Sequence, residues 1–173
     1  MEEEKKKSQG DRAPVIVLTF GTFDMMHVGH VRLLQRAAAL GDELHVGVST
    51  VALTKRKRNG RKTIFKQDTR MEMVAAIRGV TSVFLEESLD LKQAYVDKVG
   101  AHILVMGDDW KGKFDRIKVP EIIYLPRTQG VSTTSLRKGR PIKEKELVTP
   151  PFTRVKKVAP SGLQDGEHWS FVA

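Results

Sequence analysis

Apolar positions along the chain switch repeatedly between two rhythms. Short unbroken runs, suited to strands buried on both faces, alternate with segments whose apolar residues recur at three- and four-residue spacing. "VIVLTF" (15–20) is the first such run. From Gly29 to Leu40, Val31, Leu33, Leu34, Ala37, Ala38 and Leu40 keep helical spacing, and "GD" at 41–42 supplies a stop. "ELHVGVS" (43–49) predicts a second strand, followed by a basic loop. "QDTRMEMVAAIRG" (67–79) predicts a helix capped by Asp68 or Thr69 and closed by a glycine. "SVFLE" (82–86), "HILVMG" (102–107) and "EIIYLP" (121–126) read as strands, with a helix over "DLKQAYVDKVG" (90–100) between the first two. "STTSLRKG" (132–139) opens a further helix.

Strands and helices alternating at this spacing predict an α/β fold, a Rossmann-like, doubly wound, mostly parallel sheet of about five strands with helices on both faces. Ligands bind such sheets beyond the carboxyl ends of the strands, near the switch in strand order. Three unusual segments fall on that rim: "GTFDMMHVGH" after the first strand, "GDDW" after the fourth and "RTQGVSTTS" after the fifth. The organisation expected is a solvated tail over 1–13, one domain over 14–140 and an irregular extension over 141–173. That extension has four prolines and no clear period, and it is either disordered, packed across the domain or packed on a second subunit.

Composition narrows the function classes. A length of 173 residues suits one domain, and no apolar stretch approaches the roughly 20 residues of a membrane span. The amino-terminal "MEEEKKKSQGDRAP" lacks the apolar core of a signal peptide, and the absence of cysteine fits a reducing compartment, so the expected location is cytoplasmic. A net charge of +9 points to an anionic partner. The densest basic run, "KRKRNGRK" (55–62), has no interleaved aromatics for base stacking, so a nucleic-acid-binding module is disfavoured and a phosphorylated small molecule preferred.

His27 and His30 could be metal ligands, core residues or part of a phosphate site. "HVGH" lacks the glutamate of "HExxH" and any nearby cysteine, which argues against zinc. At an i, i+3 spacing on a helix's opening turn the two imidazoles share one side, beside free backbone N–H groups and the positive end of the dipole. Gly29 leaves room for a phosphate to approach, so a phosphate site is the favoured reading. "GDDWKGKF" (107–114) fits the first part of a Walker pattern but places Phe114 where a Ser or Thr must hold magnesium, and a P-loop is rejected. An aspartate there is suited to accepting from a base amino group or holding a metal, or simply to capping the loop. In "RTQGVSTTS" (127–135), Arg127 precedes four hydroxyls at a helix start, which serve either as caps or as triphosphate donors beside the arginine.

Taken together, "GTFDMMHVGH", "MGDDWKGKFD" and "LPRTQGVSTTSLR" resemble the signatures of the cytidylyltransferases, within the "HxGH" nucleotidyltransferase superfamily, over about Val15 to Arg137. The glycerol-phosphate branch is most similar; ethanolamine-phosphate, choline-phosphate and adenylyl-transferring relatives such as FAD synthetase are the alternatives. The resemblance implies transfer of CMP from CTP to a phosphorylated alcohol with Mg2+ held mainly by the nucleotide phosphates, in a homodimer. It implies that His27, His30, Lys57 and Arg127 act on the transferring phosphate, Lys55 being the other candidate for the loop lysine. Gly21, Thr22, Phe23, Asp24, Gly29, Gly107, Asp109, Thr128, Gly130, Val131, Ser132, Thr133 and Thr134 are implied in nucleotide binding, and Lys55, Arg78 and Lys92 in binding the acceptor or its phosphate. The family's "RYVDEV" is here "RGVTSV" (78–83), and Leu89 replaces an expected tryptophan, both departures bearing on the acceptor pocket.

Overall fold

The computed structural model describes residues 12–57, 59–60 and 62–148, and the backbone of 153–156. The apolar runs form β1 (Ile16–Gly21), β2 (Glu43–Ser49), β3 (Ser82–Glu86), β4 (Ile103–Gly107) and β5 (Glu121–Leu125). These five are parallel, and β6 (Thr153–Lys156) joins β5 antiparallel, giving the order β3-β2-β1-β4-β5-β6. The sheet therefore carries six strands, the sixth drawn from the segment where the hydrophobic pattern gave no element. Chain order reverses at β1 and β4, so the crevice expected of a doubly wound sheet opens above their carboxyl ends.

Alternation along β1 supplies both core layers. Val17 faces a layer with Leu34, Ala37, Val46, Val74, Val105 and Leu125, beneath α1 (Val28–Ala38) and α3 (Gln67–Ala75). Leu18 and Phe20 face the other, with Val96 of α4 (Lys92–Val99) and the loop residues Phe114, Ile117 and Val119. Each helix turns its buried positions to the sheet: Leu34 and Ala37 from α1, Val74 from α3 and Val96 from α4. Gly100 ends α4 in the left-handed conformation (φ 64°).

Several local expectations change. Lys55–Lys57 are not loop residues: they close a short helix, α2 (Val51–Lys57), anchored by buried Leu53 and Thr54. Basic side chains there complement the negative end of the helix dipole, which makes a charge run readable as a helix terminus. Neither Asp68 nor Thr69 caps α3; Lys66 stands at the cap position and makes no side-chain bond. The helix opening at "STT" is α5 (Thr133–Arg137). Residues 141–148 fold back on the domain: Lys143 N–H donates to the Gly130 carbonyl (3.0 Å), Gln129 N–H to that of Val148 (2.8 Å) and Arg32 to that of Leu147 (3.0 Å). The amino-terminal tail lies almost wholly outside the described residues, as does the extension beyond 156.

Candidate active site

At the β1–β4 crevice a cavity of about 530 Å³ opens, lined from the ends of β1 and β4, from α1, α2, α4 and α5, and from the loop carrying Trp110. Its wall at α1 begins with His27. This residue is the N-cap, in extended conformation, and its Nδ1 accepts from the Gly29 N–H at 3.1 Å. Holding that acceptor role leaves the proton of the neutral ring on Nε2, which lies 3.5 Å from the Thr133 hydroxyl. Burial pushes the His27 pKa below its ordinary value, favouring the neutral form. The His30 ring stacks on His27, with centroids 3.9 Å apart and planes 21° apart, and its other side meets the edge of Phe23. Gly29 is required by the same arrangement, since a Cβ there would lie 2.9 Å from His27 Cε1 and 3.2 Å from Val131.

Asp24, expected to support the nucleotide, does not line the cavity; it ties the surrounding loops together. Its buried carboxylate accepts from the N–H groups of Ile64 and Phe65 (each 3.0 Å) and from the Arg137 guanidinium (2.8 Å). Burial acts to raise its pKa, but the backbone bonds from Phe65 and Ile64, with Arg137, outweigh that and hold it below the usual carboxylate range. Arg137 also donates to the Lys62 carbonyl, and Arg70 to the Thr22 and Phe65 carbonyls (2.6 and 3.2 Å). Thr133 completes the latch, its hydroxyl donating to the Asp24 carbonyl at 3.1 Å.

The opposite wall is ionic and aromatic. Glu86, at the end of β3, is fully buried and accepts from Ser49 (2.7 Å), Lys57 (3.1 Å) and Lys92. Lys57 Nζ also donates to the Ser49 hydroxyl at 3.0 Å. Lys92 Nζ sits 3.2 Å from the Phe20 ring centroid and 5.4 Å from that of Phe114; Lys57 Nζ stands 5.7 Å from Trp110. Burial opposes ionisation of Glu86, yet the charges of Lys92 and Lys57 and its hydrogen bonds keep it an anion. Burial pushes the Lys92 pKa down to about 7 against the pull of Glu86. At the rim Arg127 and Asp109 pair at 2.6 Å, both exposed.

Lys57, Lys92, Arg127, Gly21, Thr22, Phe23, Gly107, Asp109, Thr128, Val131, Ser132 and Thr134 all reach the cavity with the two histidines, Gly29 and Thr133. Four expected residues do not. Lys55 is exposed on the far side of α2's last turn, and Arg78 is exposed in the turn before β3, at the amino-terminal end of the sheet, opposite the cavity. Asp24 holds the loops, and Gly130 lies under the 141–148 segment. The φ of Gly130 is 79°, and a Cβ there would meet the Lys143 carbonyl oxygen at 2.8 Å. Glu86, Trp110 and Arg137 are the residues that sequence reasoning missed. The glutamate that ends the apolar strand "SVFLE" was the available signal for Glu86, and the arginine closing "STTSLR" that for Arg137.

The sequence matches the profile of the "Cytidylyltransferase-like" family over residues 18–139, which includes the segments forming this cavity up to the end of α5. The chain belongs to the cytidylyltransferase-like family. It is 41% identical to the glycerol-3-phosphate cytidylyltransferase of Bacillus subtilis over 122 residues, 70% of this chain and 93% of that protein. It is 40% identical to the Staphylococcus aureus protein of the same name, over 70% of this chain and 91% of the relative. Among solved structures, a lipopolysaccharide core biosynthesis protein from Thermoplasma volcanium matches with a TM-score of 0.51 and 29% identity, over 60% of this chain and 81% of that one. The family match ends near the close of α5, and the segment from 141 onward lies outside it.

Proposed function

We propose that this protein transfers CMP from CTP to glycerol 3-phosphate, releasing pyrophosphate and forming CDP-glycerol. The observation that carries the reading is the capped histidine pair at the start of α1, facing the "STT" turn across one cavity. A phosphate oxygen of the acceptor attacks the α-phosphorus of CTP, the bond from that phosphorus to the bridging oxygen breaks, and pyrophosphate leaves. The acceptor is already anionic, so no protein nucleophile or proton transfer is needed, and catalysis reduces to alignment and neutralisation of spreading charge.

His27 donates from Nε2 to an oxygen of the transferring phosphate, with His30 stacked behind it and the positive end of the α1 dipole adding to the attraction. Ser132 and Thr134 hydroxyls bind the phosphates from α5, Arg127 closes the rim, and Lys57 meets the acceptor's phosphate. Bound Mg2+ would supply neutralisation of the charge on the CTP phosphates. Asp24 is engaged by Arg137, Glu86 by two lysines and Asp109 by Arg127, so the ion would be held mainly by the nucleotide phosphates. The same reading makes the enzyme cytoplasmic, homodimeric and without nucleic-acid substrates.

The test is a panel of phosphorylated alcohols (glycerol 3-phosphate, ethanolamine phosphate, choline phosphate) incubated with CTP or ATP and magnesium and scored for pyrophosphate. Release with CTP and glycerol 3-phosphate is expected. Release with ATP, or with an aminoalcohol phosphate instead, refutes the assignment.

A further inference from the structure

Lys92 lines the cavity, yet its side chain is only 1% exposed and its ammonium faces Glu86 and two aromatic rings. Lys57, 13% exposed, is the lysine of the cluster with access to an incoming anion. Both share one carboxylate, and charge bookkeeping over the three groups decides what Lys57 can do. With Lys92 charged, Glu86 is neutralised and the cluster carries a net positive charge that emerges at Lys57. Without that charge, the whole of Glu86 falls on Lys57, 3.1 Å away, and the cluster is neutral.

We propose that Lys92 is a positioning residue: by neutralising Glu86 from beneath, it leaves the Lys57 ammonium electrostatically available to the phosphate of the acceptor. The proposal rests on the reading of the cavity as the site of CMP transfer to a phosphorylated alcohol. The surroundings are consistent with it from every side. Ser49 of β2 donates to Glu86 and accepts from Lys57, while Phe20 of β1 and Phe114 present ring faces that favour a cation. Tyr95 of α4 is turned away, its hydroxyl accepting from the Glu87 N–H.

Replacing Lys92 and Glu86 separates this role from direct contact. In Lys92→Met the ion pair is cut and Glu86 captures Lys57. The KM for glycerol 3-phosphate should rise roughly 10- to 100-fold, the range expected for losing a charge-assisted hydrogen bond, with the KM for CTP little changed. In the double variant Glu86→Gln/Lys92→Met, Lys57 keeps its charge and its bond to Ser49, and the acceptor KM should return to within about threefold of the wild type. A double variant as impaired as Lys92→Met overturns the proposal, because Lys92 would then touch the acceptor itself. An unchanged KM in Lys92→Met overturns it equally. Should Lys92→Met fail to fold, as an unpaired buried carboxylate invites, the neutral double variant alone decides by whether its acceptor KM is near-normal or raised.

The pH profile gives a second readout that a merely structural role would not move. In the wild type, acceptor KM should climb as pH rises through the lowered range of Lys92, since a neutral Lys92 frees Glu86 to capture Lys57. The double variant should lack that limb. The wild-type arm keeps two failures apart: no pyrophosphate with CTP and glycerol 3-phosphate refutes the function, whereas normal release with the wrong KM pattern refutes only the role of Lys92.

Discussion

Replacing His27 by asparagine separates two jobs that its ring performs at once. Nδ1 caps α1 by accepting from Gly29 N–H, and Nε2–H is the donor turned toward the "STT" turn. Asparagine keeps a capping oxygen at the same chain position but has no group that reproduces Nε2–H; alanine loses both. A cap is worth about 1 kcal/mol, or roughly 2–4 °C in Tm for a domain of this size. An oxyanion donor in a water-poor site is worth about 3–4 kcal/mol, on the order of 100- to 1000-fold in turnover. The two effects differ enough to be read separately. Thermal unfolding of His27→Asn should therefore stay within about 1 °C of the wild type, while His27→Ala melts roughly 2–4 °C lower. Pyrophosphate release under saturating CTP and glycerol 3-phosphate should fall in both variants by roughly 100-fold or more. If His27→Asn kept more than about a tenth of wild-type turnover, the ring would be a cap and not a transition-state donor.

His27 also sets an acid limit. Burial lowers its pKa, so the unfolded chain takes up the proton first; the stability due to the neutral, capping ring is whole above about pH 6.5 and is lost as pH falls through the folded value, which denaturation at stepped pH will show. Asp24, held below the usual carboxylate range, contributes stability that is complete above about pH 4 and lost on further acidification; Asp24→Asn should remove that acid-dependent loss from the same titration. Arg137→Met leaves the buried Asp24 carboxylate without its cation and should cost about 2–3 kcal/mol in urea denaturation, with a smaller effect on turnover if the latch survives. Gly130→Ala combines a left-handed φ with a Cβ 2.8 Å from a carbonyl oxygen, so limited proteolysis should cut the 141–148 segment faster than in the wild type.

The parallel strands were legible because β1, β3, β4 and β5 centre on apolar runs and β2 alternates Leu44, Val46 and Val48 with other residues, and so was the rim on which the unusual segments meet. What escaped follows from the kinds of interaction involved. β6 is a short edge strand paired on one side, so "TRVK" need carry no buried-strand signature. The helix made by "VALTKRK" is seven residues long and buries two side chains, too few to mark a period. Arg78 matched a family arginine, but its turn lies at the amino-terminal end of the sheet, a placement that strand direction could have exposed. Glu86 escaped because its meaning depends on Ser49, Lys57 and Lys92, brought together from three other elements.

The polar atoms of the nucleotide half of the cavity share a direction that no single residue reveals. His27 gives its lone pair to the Gly29 N–H, leaving its ring N–H for a ligand. Ser132, the N-cap of α5, gives a lone pair to the Ser135 N–H at 3.0 Å, leaving its hydroxyl proton free to donate. Asp24 and Glu86, which could have presented acceptors, are turned into the protein and filled by N–H, O–H and ammonium donors. The fold thus consumes acceptors and turns donors outward. Donors so arranged suit the oxygens of a triphosphate, which can accept from each of them.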